Sequence, residues 1–135
     1  MNKLLATATL MGGAMHAHQS RRMAHADRKQ PTQVFKCGVK QIPHPEKAYK
    51  GGEDAYVMSD QVIAVADGVG GWNEVGVDPA LFSRELCRNV WDEISQRRNR
   101  PKFCLNLKEI LVEAVKKTKS KGSSTFVMAG LDPDT

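Results

Sequence analysis

The sequence is poor in cysteine, poor in aromatics and without a long apolar run, and each shortage removes a class of answer. Its three cysteines, Cys37, Cys87 and Cys104, are odd in number, far apart and never in a Cys-x-x-Cys. That spacing argues against a disulfide framework or a zinc cluster and favours a reducing compartment with free, buried or semi-buried thiols. Aromatic residues make up 6% of the chain, and no stretch interleaves them with lysine and arginine, so nucleic acid is not an expected partner. The apolar stretch at 4–15 is too short to cross a bilayer, and no transmembrane segment is expected. Gly122-Ser123-Ser124-Thr125 lacks the lysine that a nucleotide phosphate loop requires. There is no internal repeat and no low-complexity tract. What is present, 135 residues at 41% hydrophobic and 26% charged, suits one modest globular domain.

The net charge of +5 hints at a polyanionic partner, but its location removes the hint. Residues 1–30 carry Lys3, Arg21, Arg22, Arg28 and Lys29 against Asp27 alone, and the remainder is nearly balanced. A basic, acid-poor start fits an organelle transit peptide better than a secretory signal, because Met15-His16-Ala17 is a weak cleavage site; a disordered tail is the alternative. His16, His18 and His25 lie in this tail, where a His-x-His is incidental. Residues 1–30 are therefore read as a targeting or disordered tail, and 31–135 as the folded part.

The folded part is organised around Val65-Ala66-Asp67-Gly68-Val69-Gly70-Gly71-Trp72. An apolar run, 62–66, ends on one acid and is followed by glycines: a buried strand that presents a carboxylate, then a turn too tight for side chains. Upstream, Glu53-Asp54 precedes a second apolar run, 55–58. The polar gap Ser59-Asp60-Gln61 makes the two runs a β-hairpin. With a three-residue loop Glu53 faces Asp67; with a two-residue loop, Asp60-Gln61, Asp54 does. Either register gathers acids at one end of the hairpin, where like charges repel unless a cation lies between them. All candidate ligands are oxygens, which suits Mg²⁺, Mn²⁺ or Ca²⁺ and not zinc. The plain alternative is a set of solvated acids at a sheet end.

Around this hairpin, residues 33–40 read as a first strand. Ile42-Pro43-His44-Pro45 opens a loop, since two prolines one residue apart exclude helix and central strand. Asp78-Pro79 is a helix start, with Asp at the N-cap and Pro at the first helical position. Phe82, Leu86, Cys87, Val90, Trp91 and Ile94 form that helix's packed face, with Arg84, Glu85, Arg88, Asp92 and Glu93 opposite. Residues 96–102, with Pro101, read as a basic linker. A second helix spans about 106–119, with Leu107, Ile110, Leu111, Ala114, Val115 and Thr118 inward and Lys116, Lys117, Lys119 and Lys121 clustered at its end. Residues 126–131 read as a buried strand, and Asp132-Pro133-Asp134 as a turn.

Gly52-Glu53-Asp54-Ala55, then the Asp67-Gly68 stretch, then Gly122-Ser123-Ser124-Thr125 resemble, in order and spacing, the first half of a metal-dependent serine/threonine protein phosphatase of the protein phosphatase 2C family. Ile42-Pro43-His44-Pro45, Val77-Asp78-Pro79 and Leu81-Phe82-Ser83-Arg84-Glu85-Leu86 further resemble its mitochondrial and plastid branch. The resemblance covers residues 33–131. It implies an α+β fold, part of a four-layer αββα sandwich of two antiparallel sheets flanked by helices, here truncated. It implies two Mg²⁺ or Mn²⁺ ions in the complete site, with Asp67 bridging them, the Gly68 carbonyl as a ligand, and Glu53 and Asp54 holding them in part through water. The implied chemistry is attack by a metal-bridged water on phosphoserine or phosphothreonine in a phosphorylated protein. The implied address is the mitochondrion, with plastid or cytoplasm as alternatives.

Three departures qualify the resemblance. Val69 stands where many members have a histidine proposed as general acid. Tyr49 stands where many place a phosphate-gripping arginine; Lys50 or Lys47 would substitute only without arginine's bidentate fork. The aspartates of the family's second half are not found after Leu131. The resemblance therefore predicts an N-terminal half with little or no activity alone, against the alternatives of a non-catalytic metal- or partner-binding product and of an unrelated α/β domain with structural acids.

Overall fold

The computed structural model describes residues 33–98 and 105–131. The expectations for the tail, for the linker beyond Arg98, for Cys104 and for the turn at 132–134 lie outside these residues.

Three strands, β1 (Asp54–Met58), β2 (Val62–Gly68) and β3 (Ser124–Gly130), make one antiparallel sheet with β2 in the middle. The hairpin takes the two-residue loop, so Asp54 lies opposite Asp67 and Met58 opposite Ile63. The Ser59 hydroxyl accepts from the backbone N–H of Gln61 and of Val62, which fixes the loop. β3 pairs with β2 from Val62↔Gly130 to Gly68↔Ser124. Two helices cover one face: α1 (Pro79–Arg98) and α2 (Leu107–Lys117). Asp78 caps α1 by accepting from the Ala80 N–H at 3.1 Å, and Asn106 caps α2 through the Glu109 N–H at 3.1 Å.

Alternation along the strands divides the sheet. Ala55, Val57, Val62, Ala64 and Ala66 point inward onto Leu86, Cys87, Val90 and Ile94 of α1 and Ile110 and Ala114 of α2. Alanines on the inner face let a helix lie close to the sheet, and each large buried side chain contributes about 1.5–3 kcal/mol. The outer face carries Tyr56, Val65 and Val127 in one cross-strand row, all exposed. This is an α+β arrangement, one three-stranded sheet with one helical layer among the described residues.

Several expectations are corrected. Residues 33–40 form no strand: among the described residues no strand pairs with them, and they are tied to the hairpin by the Phe35 N–H on the Asp60 carbonyl at 2.8 Å and by Cys37 Sγ on the Ser59 carbonyl at 4.0 Å. The prolines do not exclude all helix, because Pro45 starts a 3-10 helix (Pro45–Lys50) at a position where its missing N–H costs nothing. Trp91 is 44% exposed and lines an open cleft between β1 and α1 instead of the core. Glu93 is buried, because α2 packs on that side of α1 and supplies Lys117 as its partner beside Arg97. Val115 is 48% exposed, and β3 is a half-exposed edge strand with only alternate residues turned inward.

Candidate metal centre

The site begins where β2 runs out. The Gly68 N–H donates to the Glu53 carbonyl at 3.2 Å, and the buried Ser83 hydroxyl donates to the same oxygen at 2.5 Å. One carbonyl thereby ties the end of β2, the approach to β1 and the first turn of α1. A Cβ at Gly68 would lie 2.8 Å from both the Glu53 and the Pro79 carbonyl oxygens, so only glycine lets helix and strand end meet. The following glycines differ from the sequence expectation. Residues Gly70–Val75 form a 3-10 helix; neither Gly70 nor Gly71 has a positive φ, and Gly71 has open space where a side chain would go.

Asp54 and Asp67 are cross-strand partners at this end of the hairpin. Burial, and then the charge of Asp67 beside it, push the Asp54 carboxyl above its ordinary value. Asp67 is exposed. Opposed acids of which one resists ionisation, with only oxygen donors, fit a hard divalent cation between them.

Glu53 is placed differently. Its carboxylate is buried, accepts from Lys47 Nζ and from Asn73 Nδ2 at 2.8 Å, and lies 3.5 Å from Lys50 Nζ. Burial alone would push it up; the bonds from Lys47 and Asn73 outweigh burial and hold it below the usual carboxylate range. Among the described residues no three carboxylate, histidine or cysteine groups converge. The hairpin thus brings Asp54 and Asp67 together and leaves the Glu53 side chain in a separate clamp. Lys50, the candidate phosphate ligand, pairs with the Asp78 carboxylate at 3.0 Å and lies 3.5 Å from Glu53. Asn73, which also donates to the Gly70 carbonyl at 2.9 Å, carried no sequence signal. Ser83 did carry one: it is a polar residue on the packed face of α1.

Comparison with known proteins decides the family. The chain is 41% identical over 107 residues to the probable protein phosphatase 2C 26 of Arabidopsis thaliana, covering 76% of this chain. It is 48% identical over 86 residues to the probable protein phosphatase 2C 80 of the same plant, covering 62% of this chain. The fold matches the crystal structure of the photosystem II phosphatase PBCP with a TM-score of 0.60 and 41% identity over 67% of this chain. Over these residues the chain belongs to the protein phosphatase 2C family. No family model matches it. The chain spans 34% and 20% of the length of the two Arabidopsis relatives and 36% of the solved chain. Set against the protein phosphatase 2C pattern, Tyr49 in the arginine position is 85% exposed, and both lysines near it are committed to Glu53.

Proposed function

We propose that the whole protein hydrolyses phosphoserine and phosphothreonine esters in phosphorylated proteins with Mg²⁺ or Mn²⁺, and that the 135 residues supply one half of the metal site. The observation that carries this reading is the opposition of Asp54 and Asp67 at the end of the hairpin, with the Asp54 carboxyl pushed up by burial and by its neighbour. Asp67 and Asp54 would hold the ions directly, helped by the Gly68 carbonyl. Glu53 would act on the site through the loops it clamps. The ions, when bound, would supply activation of water and neutralisation of charge on the phosphoryl oxygens. The chain's own contribution is to hold two acids at fixed register on a rigid hairpin, and to hold the 3-10 helix beside them through Asn73.

The test is p-nitrophenyl phosphate turnover with Mn²⁺. The account expects slow, Mn²⁺-dependent hydrolysis well below that of a full-length relative, removed by Asp67→Asn. A rate equal to the full-length relative's would refute the half-site, and a rate indifferent to Mn²⁺ or to the substitution would refute the metal chemistry.

A second reading, a non-catalytic product that binds metal or a partner, is favoured by Val69 and Tyr49 at the two altered positions. Mn²⁺ binding without any turnover would select it. For the address, likeness to a photosystem II phosphatase supports the plastid over the mitochondrion. A fluorescent fusion of residues 1–30 would be expected in chloroplasts; import into mitochondria would contradict it.

A further inference from the structure

Among the described residues β1 is an edge strand, and a cleft of about 360 Å³ runs between it and α1. Its walls are Gln41, Tyr56, Arg84, Arg88 and Trp91, and Asp54 stands at one end. The helix lies along the strand, tied near its start by Ser83 to the Glu53 carbonyl and near its end by Arg98 to Asp60. The bonds Gly68 N–H to Glu53 and Ser59 N–H to Val62 show which residues of β1 turn their backbone toward β2: every second one, in phase with Ala55 and Val57. The backbone groups of Asp54, Tyr56 and Met58 therefore point to the edge that no strand pairs among the described residues. Gln41 Nε2 already uses the first of these, donating to the Asp54 carbonyl at 3.3 Å. Among the described residues the Tyr56 N–H and C=O have no partner outside the sheet, and the Arg88 guanidinium forms no ion pair. Arg84 uses one nitrogen on the Lys50 and Gly52 carbonyls and keeps its charge in the cleft. Trp91, 44% exposed, supplies flat apolar surface.

From this geometry we infer that the cleft binds an extended acidic peptide segment of a partner protein. The segment adds to the free edge of β1 through main-chain bonds at Tyr56, sets its acidic side chains on Arg84 and Arg88, and packs on Trp91. A strand of five residues limits the segment to about 17 Å of extended chain. Asp54 lies at the same end of β1 as the candidate metal centre, so under the phosphatase reading a segment along the strand edge flanks the phosphorylated residue. The binding itself does not depend on that reading.

The test uses the full 135-residue chain without divalent metal and a fluorescein-labelled octapeptide alternating glutamate with valine. The expected result is saturable anisotropy that weakens about tenfold with Arg88→Glu, with Trp91→Ala and with a peptide N-methylated at alternate amides. Both protein substitutions fall on exposed side chains, so circular dichroism should show the fold intact. No binding at millimolar peptide, equal binding of a lysine-valine peptide, or indifference to either Arg88→Glu or N-methylation would overturn the proposal. Because metal and phosphate are absent, failure here leaves the metal centre untouched, and failure of Mn²⁺ binding leaves the cleft untouched.

Discussion

At the scale of single residues, Gly68 is the tightest constraint next to the site. Gly68→Ala puts a methyl group against two backbone carbonyls that neither α1 nor β1 can move independently. The expected loss is about 1–3 kcal/mol, read as a lowered midpoint in urea. Cys87 offers a second test. Burial pushes its thiol up to about 11, so it is protonated and shielded at neutral pH. Exposed Cys37 should react with iodoacetamide promptly, and Cys87 only at the rate of unfolding. The sequence made Asp54, Asp67 and Gly68 legible, because an acid at the end of an apolar run and a glycine after it leave few structural alternatives. It did not show where the Glu53 side chain goes. That depends on Lys47 and Asn73, which reach it from two separate 3-10 helices, and strand alternation says nothing of loops.

At the scale of elements, the hairpin and both helices follow from local pattern and caps. Asn106→Ala should cost about 1 kcal/mol, because the Glu109 N–H loses its acceptor at the start of α2. The α1–α2 contact was less legible. Glu93 looks solvent-facing on a helical wheel of α1, but α2 arrives from 24 residues downstream with Lys117, and Arg97 closes the pair from one turn away. The bond from Lys117 lowers the Glu93 carboxyl below its ordinary value, burial opposes this, and Arg97 adds to the lowering. A depressed folded value means the stabilisation is complete above the ordinary carboxylate range and is lost as pH falls through the folded value. Urea midpoints should therefore drop as pH falls through and below that range. In Lys117→Met the neutral-pH midpoint should be lower and the acid limb flatter. An unchanged acid limb would show that the network carries no linkage. The strand expected at 33–40 failed at this same scale. Its residues alternate as a strand should, but a strand forms only against a partner, and none is present among the described residues.

At the scale of the molecule, the sheet has one covered and one open face. Tyr56, Val65 and Val127 form an exposed apolar row, with Met58 beside it. Surfaces of this kind mark contacts with other protein. The chain alone should scatter light increasingly with concentration, and Val65→Thr with Val127→Thr should suppress that without lowering the melting temperature. Asp54 and Asp67 sit at the end of this same face, opposite each other and in line with Thr125 on β3. Under the proposed function these two acids hold a divalent cation. Calorimetric titration of Mn²⁺ into the wild-type chain and into Asp67→Ala tests it most directly. Saturable binding in the wild type that vanishes in the variant is the expected result. Binding absent from both, or equal in both, would contradict it.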